Sequence, residues 1–199
     1  MSRANPGKKD MSVQAKQRIS VEEYLAMERG SNEKHEYFDG EVFAMGGASL
    51  NHTLIVTNVV IELGTQLRKR DCTVHSSDLL VKVGSTGLYT YPDVVVVCGE
   101  PQFDDQIKDT LTNPTLIVEV LSESTKSYDR GDKFAHYRVL PSFMEHVLIA
   151  QDSPHIEHFF RQPDKRWILY ETDDIKDTIE LASIGCTLSL AEVYAKVRL

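Results

Sequence analysis

Hydrophobic and polar positions along the chain fall into three kinds of pattern. Two runs are apolar almost without a break: Val94-Val95-Val96-Val97, opened by Tyr91-Pro92-Asp93, and Leu116-Ile117-Val118-Glu119-Val120-Leu121. Runs of that kind are read as strands at the centre of a sheet covered on both faces. Helical spacing appears over 48–67, where Leu50, Leu54, Val56, Val59, Val60, Leu63 and Leu67 supply one apolar side. Alternation with turn-formers marks the rest. Lys34 to Met45 reads as two strands about an Asp39-Gly40 turn, which sets Phe38 across from Glu41 and Glu36 across from Phe43.

Between these lie shorter elements. Ser20-Val21-Glu22-Glu23 has the capping-box form and predicts a short helix to about Glu28. One strand is predicted over 72–83, a turn at Gly84-Ser85-Thr86-Gly87, and one strand over 88–98. Residues 99–113 read as a polar surface loop, 114–121 as the next strand and 122–127 as a Ser/Thr-rich connection. A helix then runs to about Leu140, where Pro141 stops it. Residues 143–150, 155–160, 166–171 and 178–182 resemble an antiparallel meander punctuated by Asp152-Ser153-Pro154 and Pro163-Asp164. Ser189-Leu190-Ala191-Glu192 suggests a second capping box and a last amphipathic helix. Residues 1–17 show no apolar period and read as a disordered leader, with Met11 an alternative start; 18–199 form a single domain.

Composition narrows this picture only a little. A chain of 199 residues, 41% hydrophobic and 26% charged, is long enough for a full core. It carries no membrane-length apolar run or signal-peptide stretch, so a cytoplasmic protein is expected. The net charge of -8 counts against a dedicated nucleic-acid binder. It does not exclude a nuclease, whose acidic cluster is neutralised by divalent metal. Cys72, Cys98 and Cys186 are odd in number and far apart, so buried free thiols are expected.

The candidate chemistry lies where carboxylates interrupt apolar runs. An ionised carboxylate in such surroundings needs a metal, a cation or a proton to offset its desolvation. Asp93 shares a strand face with Val95 and Val97, and Glu119 with Ile117 and Leu121; if the strands are neighbours in suitable register, the two carboxylates meet. Such a pair suits Mg2+ or Mn2+, with a backbone carbonyl, taken as that of Val120, completing the protein ligands. Lys133, on the helix that follows, would orient or deprotonate water and stabilise charge in the transition state. Glu36 and Glu41 project from one hairpin face and fit either a third carboxylate of the site or a solvated pair. His52, in a first helical turn, fits a structural hydrogen-bonding group better than a ligand. Lys126, Arg130, Lys133 and Tyr137 fall in one helical stripe, which would turn a basic face to the carboxylates and a phosphate backbone. His155 and His158 lie on opposite faces of a strand and are set aside as a metal pair.

Taken together, the His35-Glu36-Tyr37-Phe38-Asp39-Gly40 hairpin, His52, Pro92-Asp93, Val118-Glu119-Val120-Leu121-Ser122, Asp129, Lys133 and Tyr137 resemble the Uma-type putative restriction endonuclease family, within the PD-(D/E)XK nuclease superfamily. The resemblance covers roughly residues 20–197. It implies an α/β fold with a restriction-endonuclease-like core, a central mixed β-sheet flanked by helices, extended here by antiparallel C-terminal strands. The superfamily motif would place a lysine at position 121, where this chain has Leu121; in the Uma-type pattern that lysine moves to the following helix, which here means Lys133.

The resulting expectation is a divalent-metal-dependent endonuclease acting on DNA. Asp93 and Glu119 hold Mg2+ or Mn2+ with the Val120 carbonyl and, as an extra ligand, Glu36; Lys133 is catalytic; Glu41, His52 and Tyr137 organise the site; Lys126 and Arg130 contact the DNA backbone. A homodimer suits cleavage of both strands. The rival expectations are a non-cutting nucleic-acid-binding or regulatory protein on the same fold, for which Leu121 and the acidic charge speak, and a protein-interaction module with a structural acidic pair.

Overall fold

The computed structural model describes residues 18–123 and 125–199; the leader expected over 1–17 lies outside the described residues. After Ser20, whose hydroxyl accepts from the Glu23 N–H while the Glu23 carboxylate accepts from the Ser20 N–H, helix α1 runs Val21–Gly30. Strands β1 (His35–Phe38) and β2 (Glu41–Ala44) form the hairpin in the expected register. Its turn has positive φ at both Asp39 and Gly40, the conformation that makes Asp-Gly the favoured pair there. Helix α2 (Leu50–Leu67) is capped by Ser49, and its buried line is Ile55, Val59, Leu63 and Leu67. Leu50, counted among its apolar positions, is instead 71% exposed, because the buried line repeats every fourth residue from Ile55.

Both long strands expected between 72 and 98 are broken. β3 (Cys72–Ser76) and β4 (Leu80–Val83) belong to different sheets, as do β5 (Leu88–Thr90) and β6 (Val94–Cys98). The breaks fall at Ser77-Asp78 and at Tyr91-Pro92-Asp93. Proline has no N–H for a ladder, so the chain leaves one sheet there and enters the other. The loop over 99–113 contains a short strand, β7 (Thr110–Leu111), parallel to β4. β8 (Leu116–Leu121) follows.

The next helix is not uniform. α3 (Lys126–Tyr128) and α4 (Phe134–Tyr137) flank a π-helical turn over Asp129–Lys133. Then come β9 (Glu145–Ala150), β10 (Ile156–Arg161) and β11 (Trp167–Thr172) as an antiparallel meander. β12 (Thr178–Leu181), expected in that meander, pairs instead with β13 (Cys186–Ser189), a strand the sequence pattern did not mark. Helix α5 (Leu190–Val193) starts at Ser189, whose side chain makes no capping bond, so the second expected capping box is not formed.

Two larger sheets result, one of five strands in the order β2-β1-β5-β4-β7 and one of six in the order β11-β10-β9-β8-β6-β3. The six-stranded sheet is mixed: β8 and β9 are parallel and the remaining pairs antiparallel. One face of it packs on Ile55, Val59 and Leu63 of α2 and on the β12–β13 pair. On the other, Ile117 meets Val83 and Leu88 of the five-stranded sheet and Phe134 and Tyr137 of α4. Burying each such aliphatic side chain contributes about 1.5–3 kcal/mol, which fixes the central strands on which the candidate acids stand.

The free-thiol expectation holds only for Cys186. Cys72 and Cys98 are directly paired across β3 and β6 and are joined as a disulfide. No helix among the described residues is long and apolar enough to cross a membrane.

Candidate active site

Adjacent central strands bring the acids together. β6 and β8 pair antiparallel with Val94 across from Val118, and the same register carried one residue further sets Asp93 across from Glu119. Asp93 stands just where Pro92 has ended the backbone ladder, so its carboxylate can turn to partners other than strand neighbours. Its Oδ2 accepts the Val120 N–H at 2.7 Å, and its Oδ1 lies 2.9 Å from Nε2 of His52, delivered by the first turn of α2. Glu119 is only 4% exposed. Its Oε1 receives the Tyr137 hydroxyl at 2.9 Å and the Lys133 Nζ at 3.0 Å. Among the described residues, its Oε2 has only a long contact, 3.4 Å, from the Asp93 N–H.

Lys133 is buried and shared. Besides Glu119 it contacts Oε1 of Glu36 at 3.0 Å and Oδ1 of Asp129 at 3.6 Å. Glu36, carried in by β1, also accepts the Thr90 hydroxyl at 2.5 Å. Burial by itself would push Lys133 down, but Glu119, Glu36 and Asp129 together hold it well above the ordinary lysine value, so it is an ammonium. Burial is also the largest influence on Glu119; Asp129 and Asp93 add to it, Lys133 opposes it, and the carboxyl ends above its ordinary range.

Of the residues singled out in the sequence, the structure brings Asp93, Glu119, Lys133, Glu36, His52 and Tyr137 into one cluster. Glu41 is not among them. It lies two pairs nearer the hairpin turn than Phe43 and does not line the cleft over the site. The basic stripe is also divided. A π-turn bonds i to i+5 and so inserts a residue into the helical phase. Arg130 therefore turns to Glu157 on β10, with its Nε at 2.6 Å, and Lys126 pairs with Glu123. Both line a separate hollow of about 470 Å³ that adjoins the main cleft at Ser122 and Gln151. Two participants were given no chemical role in the sequence reading, Asp129 entering it only through the family resemblance. Asp129 could have been found as the residue four before Lys133 in a helix; Thr90, an ordinary strand threonine, carried no signal.

The cleft above the cluster has a volume of about 1180 Å³ and is lined on one side by the loop from Met45 to Ser49. Glu36, Asp93, Glu119 and Asp129 gather there around the Lys133 ammonium, which contacts all of them but Asp93, and all their donor atoms are hard oxygens. That excess of anionic oxygen suits a hard divalent cation, so the residues fit Mg2+ or Mn2+. A different group, His155 just before β10, Glu157 on β10 and Glu171 on β11, has ligand atoms within 4.8 Å of one another. Arg130 already neutralises Glu157 in that group, and His158 turns instead towards Glu145 at 3.7 Å.

A mixed sheet flanked by helices, with acids on neighbouring strands and a lysine from the next helix above them, defines the restriction-endonuclease-like class of α/β fold. A crystal structure of a putative nuclease belonging to DUF820 from Anabaena variabilis shares this fold, with a TM-score of 0.71 over 90% of this chain and 99% of that one at 16% identity. Within that class the chain belongs to the Uma2 family of putative restriction endonucleases, which matches residues 21–191. Among relatives, it is 38% identical over 177 residues to the uncharacterized protein slr1290 of a Synechocystis strain, covering 89% of this chain and 92% of the relative. It is 36% identical over 153 residues to the uncharacterized protein sll1609 of the same organism, covering 77% and 86%. The expected family and fold are thus borne out, and the family is one of putative restriction endonucleases.

Proposed function

We propose that the protein is a divalent-metal-dependent endonuclease that hydrolyses phosphodiester bonds of DNA. One observation carries the reading: Asp93 and Glu119 lie across neighbouring strands at the floor of an open cleft, with the Lys133 ammonium 3.0 Å from Glu119. Asp93 and Glu119 would hold Mg2+ or Mn2+ with the Val120 carbonyl, and Glu36 is placed to add an oxygen. When bound, such a cation supplies a more acidic water and stabilises negative charge on phosphoryl oxygens.

The chain's own residues carry the remaining tasks. His52 and the Val120 N–H fix the Asp93 carboxylate in one orientation, as Tyr137 does for Glu119. Lys133, an ammonium among three carboxylates, has its proton already; it acts as a fixed positive charge that orients water and stabilises the developing phosphorane, not as the base. Its position on the helix after β8 replaces the lysine that Leu121 lacks.

The reading is tested by incubating supercoiled plasmid with the protein and Mn2+ or Mg2+. Nicked and linear products are expected, their loss on adding a chelator, and their loss in Asp93→Ala with an unchanged circular dichroism spectrum. DNA bound in a salt-dependent manner but never cut would overturn it in favour of a non-cutting protein on this fold.

A further inference from the structure

We propose, on the nuclease reading of this cleft, that its substrate is an unpaired DNA strand, one of whose bases stacks on the ring of Phe43 beside the acids. Register puts the ring there. Phe43 is the cross-strand partner of Glu36 in the β1–β2 hairpin, and directly paired residues project from the same face of a sheet, so the ring flanks the carboxylate that meets Lys133. It is 45% exposed and lines the cleft. Phe38, Tyr91 and Tyr128 line the same cleft and are half-buried, so Phe43 is the most open of its aromatic rings.

The charges of the cleft decide between one strand and two. Binding of a duplex draws on cations that neutralise phosphates along both of its backbones. Among the described residues that line this cleft, two lysines stand against five carboxylates. Lys133 is taken by Glu36, Glu119 and Asp129, and Lys34 by Asp78 and the Ser77 carbonyl. One wall has no charge at all. Phe43 to Ser49 is an uncharged run of the lining, exposed except for Met45 and pinned at its end where the Ser49 hydroxyl donates to Gln151 Oε1 at 2.5 Å. Such a wall offers nothing to a second phosphate backbone, and it suits the flat apolar faces that bases expose once unpaired. Further cations, Lys126 and Arg130, lie together in the adjoining hollow, enough for a single backbone leaving the cleft. A single strand is also flexible enough to lower one phosphate to Glu119, 4% exposed at the cleft floor.

Fluorescence anisotropy in millimolar Ca2+, with a labelled DNA oligonucleotide alone and annealed to its complement, tests it; cleavage of both is then followed in Mn2+. The single strand should bind about ten-fold tighter than the duplex, or more. Phe43→Ala should weaken single-strand binding about five- to one-hundred-fold with an unchanged circular dichroism spectrum, and Phe43→Trp should restore it. 2-Aminopurine scanned along the strand should be quenched at one position by the wild type and not by Phe43→Ala, a signal that a merely structural role of the ring would not give. Duplex bound within ten-fold of the single strand overturns the proposal even where plasmid is cut, as does a single strand that is not bound or that Phe43→Ala binds with full affinity. A preferred single strand that is stacked on Phe43 but never cut would instead overturn the nuclease reading and leave the strand preference standing.

Discussion

Lys133 reaches Glu119 at 3.0 Å across the gap between the π-helical turn and strand β8, and it is the one ammonium set among Glu36, Glu119 and Asp129. Removing one partner of a buried ionic cluster strands the others, and that loss usually exceeds the worth of the pair itself. Lys133→Met should therefore destabilise the protein by about 3–5 kcal/mol in urea unfolding, because three carboxylates are left facing one another. Millimolar Mn2+ should restore part of that stability, since a bound cation replaces the missing charge. Unchanged unfolding in Lys133→Met would contradict the geometry.

Glu119→Gln separates stability from chemistry. Glu119 is a buried carboxylate whose ionisation is disfavoured first by burial and then by Asp129 and Asp93. A glutamine keeps an acceptor for the Tyr137 hydroxyl and leaves Lys133 paired with Glu36 and Asp129. Stability at pH 7 should thus hold or rise, as is common when a strained functional group is removed. Mn2+ binding by calorimetry should fall at least ten-fold, because the amide is a poor substitute for an anionic ligand. Tyr137→Phe, by contrast, should cost about 1–2 kcal/mol and leave metal binding largely intact, since Lys133 still satisfies Oε1.

These residues differ in how far the sequence alone reveals them. Asp93 and Glu119 are visible because one opens an apolar run and the other interrupts one, and a carboxylate in such surroundings calls for a reason. That they meet depends on the β6–β8 register, which the pattern permits without fixing. Lys133 and Tyr137 are visible through helical phase; Lys126 and Arg130 are misplaced by the same argument, because the π-turn adds a residue that composition does not announce. The breaks at Ser77-Asp78 and Pro92 were there to be read, yet the apolar continuity on either side masked a change of sheet. Thr90 and the Cys72–Cys98 bond are tertiary facts: each depends on which strands become neighbours.

That disulfide gives a direct count. Cys186 is the one free cysteine, so the oxidised protein unfolded without reductant should react with thiol reagent at a single site. Linking residues 26 apart constrains the unfolded chain, and the Cys72→Ser, Cys98→Ser double variant should lose about 2–4 kcal/mol relative to the oxidised protein. Three reactive thiols in the oxidised, unfolded chain would show that the bond does not form in solution.

Acid stability should report on His146, whose ring is fully buried on β9 behind the site. It stacks on Phe134 at 5.0 Å with Tyr137, Phe143 and Phe159 around it, and neither ring nitrogen has a hydrogen-bond partner among the described residues. Burial, and secondarily the Lys133 ammonium, lower its pKa from 6.5 to about 3. Between those values the unfolded chain binds a proton there and the folded chain does not. Stability from this group is therefore complete above pH 6.5 and is lost as pH falls towards 3, at about 1.4 kcal/mol per pH unit. His146→Leu removes that proton while every other titrating group stays. The difference in unfolding free energy between the variant and the wild type should be flat above pH 7 and widen in favour of the variant between pH 6 and 4, to about 3 kcal/mol. A difference that stays constant over that range would mean the imidazole is protonated in the folded state, and the aromatic enclosure around it would then be wrong.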